Sequence, residues 1–328
     1  MRIALDAMGT DTAPLSEIQG AIQALAICEP DVEILLVGDE TLMADELSRH
    51  QDYPRNRLSL IHAPGRIGPG ESPAQAVRKK RDSSIVVGVK LLKEGRADAF
   101  VSGGSTGAVM AASLLFLRPL SGVDRPAIGT VLPTSSTPCL LLDAGANVDC
   151  KPHNLVQFAH LGRIFAQDLL GVERPRVGLL NIGEEPEKGN ELSVAAHKLL
   201  AEADLNFIGN IEGREIIRGG SDVVVCDGFA GNLILKFYES VAEFIMGLLK
   251  RELQAQHIES LDLHRVFRSL DYTEYGGAPL LGVNGVTIIT HGSAPPKAIS
   301  GAIKEAAQAA RSSMVTHMAS AMARQNGN

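Results

Sequence analysis

The feature that most constrains the fold of this chain is the alternation of short apolar runs with helix-like segments. Runs rich in Val, Ile and Leu recur along the 328 residues, and amphipathic stretches separate most of them. Such runs are typical of parallel strands that are buried on both faces by the connecting helices. The pattern therefore predicts an α/β fold with a three-layer, doubly wound and mostly parallel sheet.

The individual elements follow from the same periodicity. The predicted strands cover 2–7, 32–38, 58–62, 99–102, 128–132, 139–143, 177–182, 207–210, 223–226 and 286–290. The predicted helices cover 16–28, 84–93, 106–117, 153–170, 191–203, 232–253 and 296–324. No linker or repeat divides the chain, so we expect one catalytic domain over 1–328. Whether that domain consists of one lobe or two is an open alternative. The helical pattern at 232–270 continues without a strand and predicts a protruding amphipathic hairpin.

Composition and missing motifs exclude several classes of function. A net charge of −7 opposes non-specific nucleic-acid binding, because such binding requires many Lys and Arg contacts to phosphates. Four widely spaced cysteines favour reduced thiols in a cytoplasmic protein. The P-loop, dinucleotide and zinc-protease patterns are all missing, so the sequence requires neither a metal nor a cofactor.

A Gly-rich motif follows the predicted strand at 99–102, within the stretch FVSGGSTGAVM. Its residues Gly103-Gly104-Ser105-Thr106-Gly107 fit the G-x-S-x-G pattern, in which a serine nucleophile sits on a strained turn between strand and helix. They also suit a nest of backbone N–H groups that binds an anion at a helix N-terminus. From the sequence, Ser105 is either the attacking group or one part of an anion cradle.

Polar residues follow other predicted strands, where the ligand site of an open α/β sheet lies. Three of these residues also have a structural interpretation. Lys188 fits a solvated loop, Asp227 fits a helix cap, and His291 fits a packed imidazole. The candidates are Asp6, Gly9 and Asp11 in the first loop, then Asp143 and Asn147, Lys188, Gly189 and Asn190, Asp227 and Asn232, and finally His291 and Ser293.

Two basic elements stand out on this acidic chain. Arg78, Lys79, Lys80 and Arg81 form a continuous run, and Arg265 and Arg268 lie on the predicted hairpin. Such runs are usually solvated faces, but they also steer acidic partners. Apolar residues at near-helical spacing on the hairpin fit either an interfacial membrane helix or a dimer interface. They include Leu261, Val266, Phe267 and Leu270.

Several long segments, in order along nearly the whole chain, resemble the PlsX family of bacterial phosphate acyltransferases. They include MRIALDAMGTD, GVDRPAIGTVLPT, LLLDAGANVDCKP, RVGLLNIGEEPEKGNEL, VVVCDGFAGNLILK and LDYTEYGGAPLLGVNG. The resemblance implies a fold similar to phosphate acetyltransferase and isopropylmalate dehydrogenase, and reversible transfer of a fatty acyl group from acyl carrier protein to inorganic phosphate. It also implies a cytoplasmic homodimer lying on the anionic membrane surface, which passes acyl phosphate to the membrane glycerol-3-phosphate acyltransferase PlsY for phospholipid synthesis.

This chain departs from the family pattern in two motifs. The family usually reads Met-Gly-Gly-Asp-His where this chain has Met8-Gly9-Thr10-Asp11-Thr12, and Ser-Ala-Gly-Asn-Thr-Gly where it has residues 102–107. Since relatives use Asn at position 105, the family chemistry does not require a serine nucleophile there. Thr12 replaces a usual His, so an imidazole is not obligatory at that position.

Phosphate can itself attack a thioester, so the protein must supply an anion site, proximity and hydrogen bonds to the developing charge. We expect catalytic roles at His291, Lys188, Asp227 and Asn232. Phosphate or thioester binding is expected at Ser102, Gly103, Gly104, Ser105, Thr106, Gly107, Asp143, Asn147, Gly189, Asn190 and Ser293. The basic residues are candidates for docking acyl carrier protein. Three alternatives stay open: a serine thioesterase, a non-catalytic scaffold, and a phosphate acetyltransferase that uses coenzyme A.

Overall fold

The structure is a computed structural model that describes residues 1–255 and 276–325. Its strands are β1 (Arg2–Asp6), β2 (Glu33–Gly38), β3 (Leu58–His62), β4 (Ala99–Ser102), β5 (Ala127–Leu132), β6 (Cys139–Leu142), β7 (Val177–Leu180), β8 (Phe207–Ile211), β9 (Val223–Val225), β10 (Ala278–Leu281) and β11 (Val286–Ile289). Its helices are α1 (Leu15–Ile27), α2 (Glu40–Ser48), α3 (Pro73–Lys79), α4 (Ser84–Lys93), α5 (Thr106–Phe116), α6 (Pro152–Asp168), α7 (Glu191–Glu202), α8 (Gly213–Arg218), α9 (Gly228–Ala255), α10 (Pro296–Arg311) and α11 (Met314–Gln325).

These elements form two compact units. The first comprises Met1–Ile128 and the chain from Gly276 onwards, and the second is the chain between them. In the first unit the strand order is β3-β2-β1-β4-β11-β10. All neighbours are parallel except β10, which runs antiparallel to β11.

Strand register in the first unit determines where its loops emerge. Asp6 at the end of β1 is paired with Ser102 at the end of β4, and Ser102 with Ile289 at the end of β11. The loops that begin after these three strands therefore leave the same edge of the sheet, as is usual for ligand sites in this architecture.

Buried apolar side chains explain why these strands pair in the middle of the unit. Ile3, Leu5, Phe100 and Ile288 have no exposed surface, which suits strands covered on both faces. A Cβ on Gly20 of α1 would lie 2.6 Å from the Cβ of Ile299 on α10, so the glycine lets these two helices approach closely.

In the second unit the strand order is β5-β6-β9-β7-β8, and β5 alone among these is antiparallel to its neighbour. Leu142 at the end of β6 pairs with Val225 at the end of β9, and Val225 with Leu179 near the end of β7. The loops that begin at Asp143, Asn181 and Cys226 therefore also share one sheet edge.

The structure corrects parts of the predicted element pattern. The helix predicted over 296–324 is wrong, because α10 ends at Arg311 and α11 begins only at Met314. Ser313 between them adopts a φ of 59°, a left-handed conformation that breaks the helix. Strand β10 was not predicted, since it contains Pro279, which lacks an N–H for a sheet. The helices α2, α3 and α8 were also missed, and each has fewer than ten residues.

Candidate active site

Asp6 anchors the site of the first unit at the end of β1. Its carboxylate has no exposed surface, and it accepts hydrogen bonds from Ser102 Oγ at 2.6 Å and from the Met8 N–H at 3.0 Å. Burial raises the pKa of Asp6, and the hydrogen bonds from Ser102, Ser84 and Met8 only partly oppose this rise. Asp6 thus joins the ends of β1 and β4 and holds the two following loops together.

The Gly-rich turn after β4 packs backbone to backbone against the first loop. A Cβ on Gly9 would lie only 2.6 Å from the Gly104 nitrogen, so this approach requires glycine. The Gly104 N–H donates to Ser102 Oγ at 3.1 Å. The structure therefore brings together Asp6, Gly9, Ser102 and Gly104, as the loop positions predicted.

Ser105 is the N-cap residue of α5. Its Oγ accepts a hydrogen bond from the Ala108 N–H at 3.4 Å, and no histidine bonds to it in the described part of the chain. The N–H groups of Thr106 and Gly107 in the first helical turn have no partner there. Unpaired N–H groups at a helix N-terminus favour an anion, so the local geometry suits a cradle better than a nucleophile.

Thr10 of the first loop packs against Gly103 of the Gly-rich turn. A Cβ on Gly103 would lie 2.7 Å from Thr10 Cγ2 and 3.0 Å from Thr290 Oγ1. Thr10 therefore fills the space that an alanine methyl at position 103 would need. Thr10 and Gly103 are thus a complementary pair across the two loops.

His291 lies in the loop after β11, beside the first loop. The Ser293 N–H donates to His291 Nδ1 at 3.2 Å, and Ser293 Oγ lies 2.7 Å from the same nitrogen. A backbone N–H can only donate, so Nδ1 is the acceptor and a neutral ring carries its proton on Nε2. The exposed Nε2–H is thereby oriented as a hydrogen-bond donor. The Asp11 N–H donates to the Gly292 carbonyl at 2.8 Å and ties the two loops together.

In the second unit, Asp143 organises the turn after β6. Its carboxylate accepts from the Ala146 N–H at 3.1 Å, from the Asn147 N–H at 2.7 Å and from the Asn147 side-chain amide at 2.9 Å. Both Asp143 and Asn147 are buried. They therefore shape the loop and do not present their side chains to solvent.

The first turn of α9, which follows β9 closely, packs on that turn. A Cβ on Gly228 would lie 2.8 Å from the Asn147 backbone, and a Cβ on Gly231 would overlap the Asp143 carbonyl. Asp227 accepts from the Ala230 N–H at 2.8 Å, which is the helix-cap role that the sequence left open. The side chain of Asn232 is exposed and approaches Gly145, so it stands beside the Asp143 turn.

The loop before α7 is held by its own polar groups. Asn181 donates to the Lys188 carbonyl at 2.9 Å, and Asn190 caps α7 by accepting from the Ser193 N–H at 2.9 Å. Gly189 has a φ of +97°, which favours glycine. The Lys188 ammonium is exposed and has no ion pair within the described residues, so it is available to an anion.

The four charged side chains of the basic run differ in their exposure and in their partners. Arg78 and Lys79 are exposed at the end of α3, whereas Lys80 bonds to Glu71 at 2.7 Å and to the Arg66 carbonyl at 2.8 Å. The guanidinium of Arg81 lies 5.9 Å from the centre of a phenylalanine ring. The hairpin candidates lie outside the described residues: Arg265, Arg268, Leu261, Val266, Phe267 and Leu270.

Sequence reasoning missed two residues that touch the first loop. Glu17 is fully buried and accepts from the Thr10 N–H at 2.7 Å, and Arg66 donates to the Thr10 carbonyl at 2.8 Å. Burial raises the pKa of Glu17 to about 7. One signal was available, because Glu17 lies on the same helical stripe as buried Ala21 and Ala24 of α1.

Comparisons with known proteins agree with this architecture. The family model described as fatty acid synthesis protein matches residues 1–317. The curated phosphate acyltransferases of Heliobacterium modesticaldum and Desulforamulus reducens are 52% and 50% identical over 322 residues, which covers 96% of this chain in each case and 96% and 95% of those chains.

Solved structures are similar at lower identity. The EutD phosphotransacetylase from Staphylococcus aureus has a TM-score of 0.60 at 16% identity, over 94% of both chains. A 4-hydroxythreonine-4-phosphate dehydrogenase from Klebsiella pneumoniae has a TM-score of 0.55 at 13% identity, over 97% of both chains. These likenesses confirm the predicted fold class.

Proposed function

This chain belongs to the fatty acid synthesis protein family and is a phosphate acyltransferase, and from that premise we propose that its acyl donor is an acyl carrier protein thioester. The product is then an acyl phosphate for phospholipid synthesis. The observation that carries the proposal is the Gly-rich turn at 102–107, which offers unpaired backbone N–H groups and no activated nucleophile.

In this reaction a phosphate oxygen attacks the thioester carbonyl directly. The new C–O bond forms, the C–S bond breaks, and the carrier thiolate leaves and takes up the proton that the attacking hydrogen phosphate loses. The first-turn N–H groups of Thr106 and Gly107 bind the attacking phosphate, and Gly103 and Gly104 let the backbone approach it. Binding in this orientation supplies proximity, which is the main requirement when the nucleophile is already an anion.

Other exposed donors stabilise the charge that develops on the carbonyl oxygen or the leaving thiolate. In the first unit we assign this role to the His291 Nε2–H, oriented by Ser293. In the second unit, the exposed side chains of Asn232 and Lys188 are proposed as catalytic donors. Asp143 and Asn147 shape the turn beside Asn232, and Asp227 caps the first turn of α9, which carries Asn232. Gly189 and Asn190 shape the loop that carries Lys188. In the first unit, Asp6, Gly9 and Asp11 have the same supporting role.

A test against the serine thioesterase uses two substitutions in the same turn. A Cβ on Gly104 would lie 3.1 Å from both Asp6 Oδ2 and Ile85 Cδ1, so Gly104→Val should damage activity more than Ser105→Ala. A fluorophosphonate probe should not label the protein. Labelling of Ser105, together with loss of all activity in Ser105→Ala, would instead establish the nucleophile.

For the acidic carrier protein, we propose docking through the exposed members of the basic run. Because Lys80 is paired with Glu71, the docking charges are narrowed to Arg78, Lys79 and Arg81. The double substitution Arg78→Glu and Lys79→Glu should raise KM for acyl carrier protein and spare acyl coenzyme A. Equal increases for both donors would exclude docking at this surface. The hairpin residues Arg265 and Arg268 are further candidates.

We propose that the protein is a homodimer that buries the exposed apolar side chains of α9. Phe229 and Phe237 are 65% and 70% exposed, and Leu233 and Phe244 are exposed on the same side. The first half of α9 packs on the sheet through other residues, including Tyr238. A patch of this kind usually marks a protein interface. Phe237→Asp should shift sedimentation to the monomer, and an unchanged dimer would place the interface elsewhere.

Membrane attachment is proposed to be peripheral, through the predicted hairpin at 232–270. No helix in the described ranges has the length and apolarity to cross a membrane. Phe267→Asp should lower binding to anionic liposomes without unfolding the protein, and loss of the dimer instead would indicate a subunit contact. Attachment there would deliver acyl phosphate to the membrane acyltransferase PlsY.

The overall proposal is tested by mixing acyl carrier protein thioester with the enzyme and titrating inorganic phosphate. Free carrier thiol and acyl phosphate should appear in equal amounts, and both should depend on phosphate. Acyl coenzyme A is run alongside, and a much higher kcat/KM with that donor would favour the coenzyme A alternative.

A further inference from the structure

Thr10 is held from both sides by residues to which no role has been assigned. Its N–H donates to Glu17 Oε1 at 2.7 Å, and its carbonyl accepts from Arg66 Nη2 at 2.8 Å. Glu17 stands in the first turn of α1, and Arg66 lies in the segment between β3 and α3. Both backbone polar groups of Thr10 are thus fixed by charged side chains, an unusually strong restraint for a loop residue.

The restrained residue touches the proposed phosphate cradle. Thr10 is fully buried, and its Cγ2 occupies the space beside Gly103, where a Cβ would be 2.7 Å away. A Cβ on the preceding residue, Gly9, would lie 2.6 Å from the Gly104 nitrogen. A displacement of Thr10 should therefore displace the Gly103–Gly104 turn as well, because the two loops are closely packed against each other.

Glu17 is otherwise difficult to explain as a structural residue. Its Oε2 is buried and has no hydrogen-bond partner among the residues described, which is costly for a carboxyl group. Asp6 lies near enough to add an unfavourable interaction between like charges. A nonpolar side chain of similar volume at this position would avoid that cost.

We infer that Glu17 is a positioning residue, which acts through Thr10 to fix the Gly103–Gly104 backbone for phosphate. Arg66 completes the restraint from the solvent side. This inference rests on the proposed function, since phosphate is taken to bind at that turn. It adds a second layer to the site, made of side chains that never touch the substrate.

The charge state of Glu17 alters the strength of the restraint. An ionised carboxylate accepts the Thr10 N–H more strongly than a neutral carboxyl group does. Burial raises the pKa of Glu17 to about 7, and the charged groups close to the restraint are Asp6 and Arg66. Phosphate binding should therefore weaken on acidification from pH 8 to pH 6 beyond the change that phosphate ionisation itself causes.

The test compares Glu17→Ala, Glu17→Gln and wild type, with inorganic phosphate as the probe. Phosphate KM is measured at pH 6 and pH 8, and binding is measured separately by the rise in unfolding temperature with phosphate. Glu17→Ala should raise KM and weaken binding about tenfold, because the Thr10 N–H is left unpaired, while kcat changes less than about twofold. Glu17→Gln should restore most of the affinity and remove the extra pH dependence.

Glu305→Gln is the matched control. Glu305 is another buried carboxyl group of the same unit, with one oxygen on the Gly277 N–H at 3.0 Å and the other without a partner in the described chain. Its substitution should leave phosphate KM unchanged. If Glu17→Ala fails to fold, Arg66→Met removes the other half of the restraint from an exposed position, and it should raise phosphate KM severalfold.

The outcomes separate this inference from the proposed function. Unchanged phosphate KM and binding in a folded Glu17→Ala, or equal effects in Glu305→Gln, would overturn the positioning role. If wild type binds phosphate without releasing carrier thiol, and Glu17→Ala weakens that binding, the proposed function fails and the positioning role stands. If wild type does not bind phosphate at all, both fail.

Discussion

The substitution Gly103→Ala should destabilise the protein, and a second substitution, Thr10→Ser, should relieve about half of that loss. The alanine methyl would lie 2.7 Å from Thr10 Cγ2 and 3.0 Å from Thr290 Oγ1. Thr10 cannot move away easily, because both of its backbone polar groups are bonded. Serine at position 10 lacks the obstructing methyl and keeps both backbone hydrogen bonds.

The magnitudes follow from this packing. Adding a methyl group to a filled interior typically costs about 1–3 kcal/mol, so Gly103→Ala should lower the free energy of unfolding by roughly 2 kcal/mol. Removing one buried methyl by Thr10→Ser should cost about 1 kcal/mol. If the two effects were independent they would add, whereas the double variant should lose only about 1 kcal/mol because the contact with Thr10 Cγ2 is gone and only the one with Thr290 Oγ1 is left.

The assay is urea unfolding of the four members of this double-mutant cycle, with phosphate KM measured on each. Thr10→Val is the control, because valine keeps a methyl and should not rescue Gly103→Ala. Phosphate KM should rise in Gly103→Ala and fall again in the double variant. Additive losses of stability, or rescue by valine as good as rescue by serine, would refute the steric link between the two loops.

Three further predictions concern stability. Burial disfavours the charged form of Asp222, but hydrogen bonds from Arg176 outweigh burial, and the pKa of this carboxyl group is lowered overall. The ion pair therefore stabilises the protein above about pH 4 and loses its effect on acidification. Asp222→Asn should cost about 2 kcal/mol in urea unfolding at pH 7 and less at pH 3. Burial raises the pKa of Glu305 to about 8, so its ionisation destabilises the fold as pH rises from about 4.5 to 8. Glu305→Gln should therefore gain roughly 5 kcal/mol in free energy of unfolding relative to wild type between pH 4 and pH 9. The methyl group of Gly231→Ala would overlap the backbone carbonyl of Asp143, so this substitution should lower the free energy of unfolding by about 3 kcal/mol. Gly247→Ala on the open surface of α9 is the control and should cause no loss of stability. Equal losses in the two variants would contradict the packing of the Asp143 turn.

The fold was largely predictable because its strands are buried on both faces. Continuous apolar runs mark such strands clearly, and the ends of ten strands were located to within two residues. β10 escaped because Pro279 disfavours a strand by local propensity, and tertiary pairing overrode it. The break at Ser313 escaped because no Gly or Pro marks it.

The site was predictable at the level of loops and less so at the level of side-chain roles. Loops after parallel strands gather at one edge, so Asp6 and Ser102 could be grouped from topology alone. The sequence did not distinguish a capping Ser105 from a nucleophile, because both occupy the same position in a strand–turn–helix. Arg66 was missed because its segment has no periodicity, and its contact with Thr10 spans 56 residues.

Direct attack by phosphate is tested most directly by a single-turnover experiment with excess enzyme and labelled acyl carrier protein thioester, with and without inorganic phosphate. Without phosphate, no carrier thiol should be released and no label should become attached to the protein. With phosphate, thiol release should be stoichiometric with acyl phosphate. A burst of thiol in the absence of phosphate, with the acyl group bound to Ser105 or any other side chain, would contradict the account.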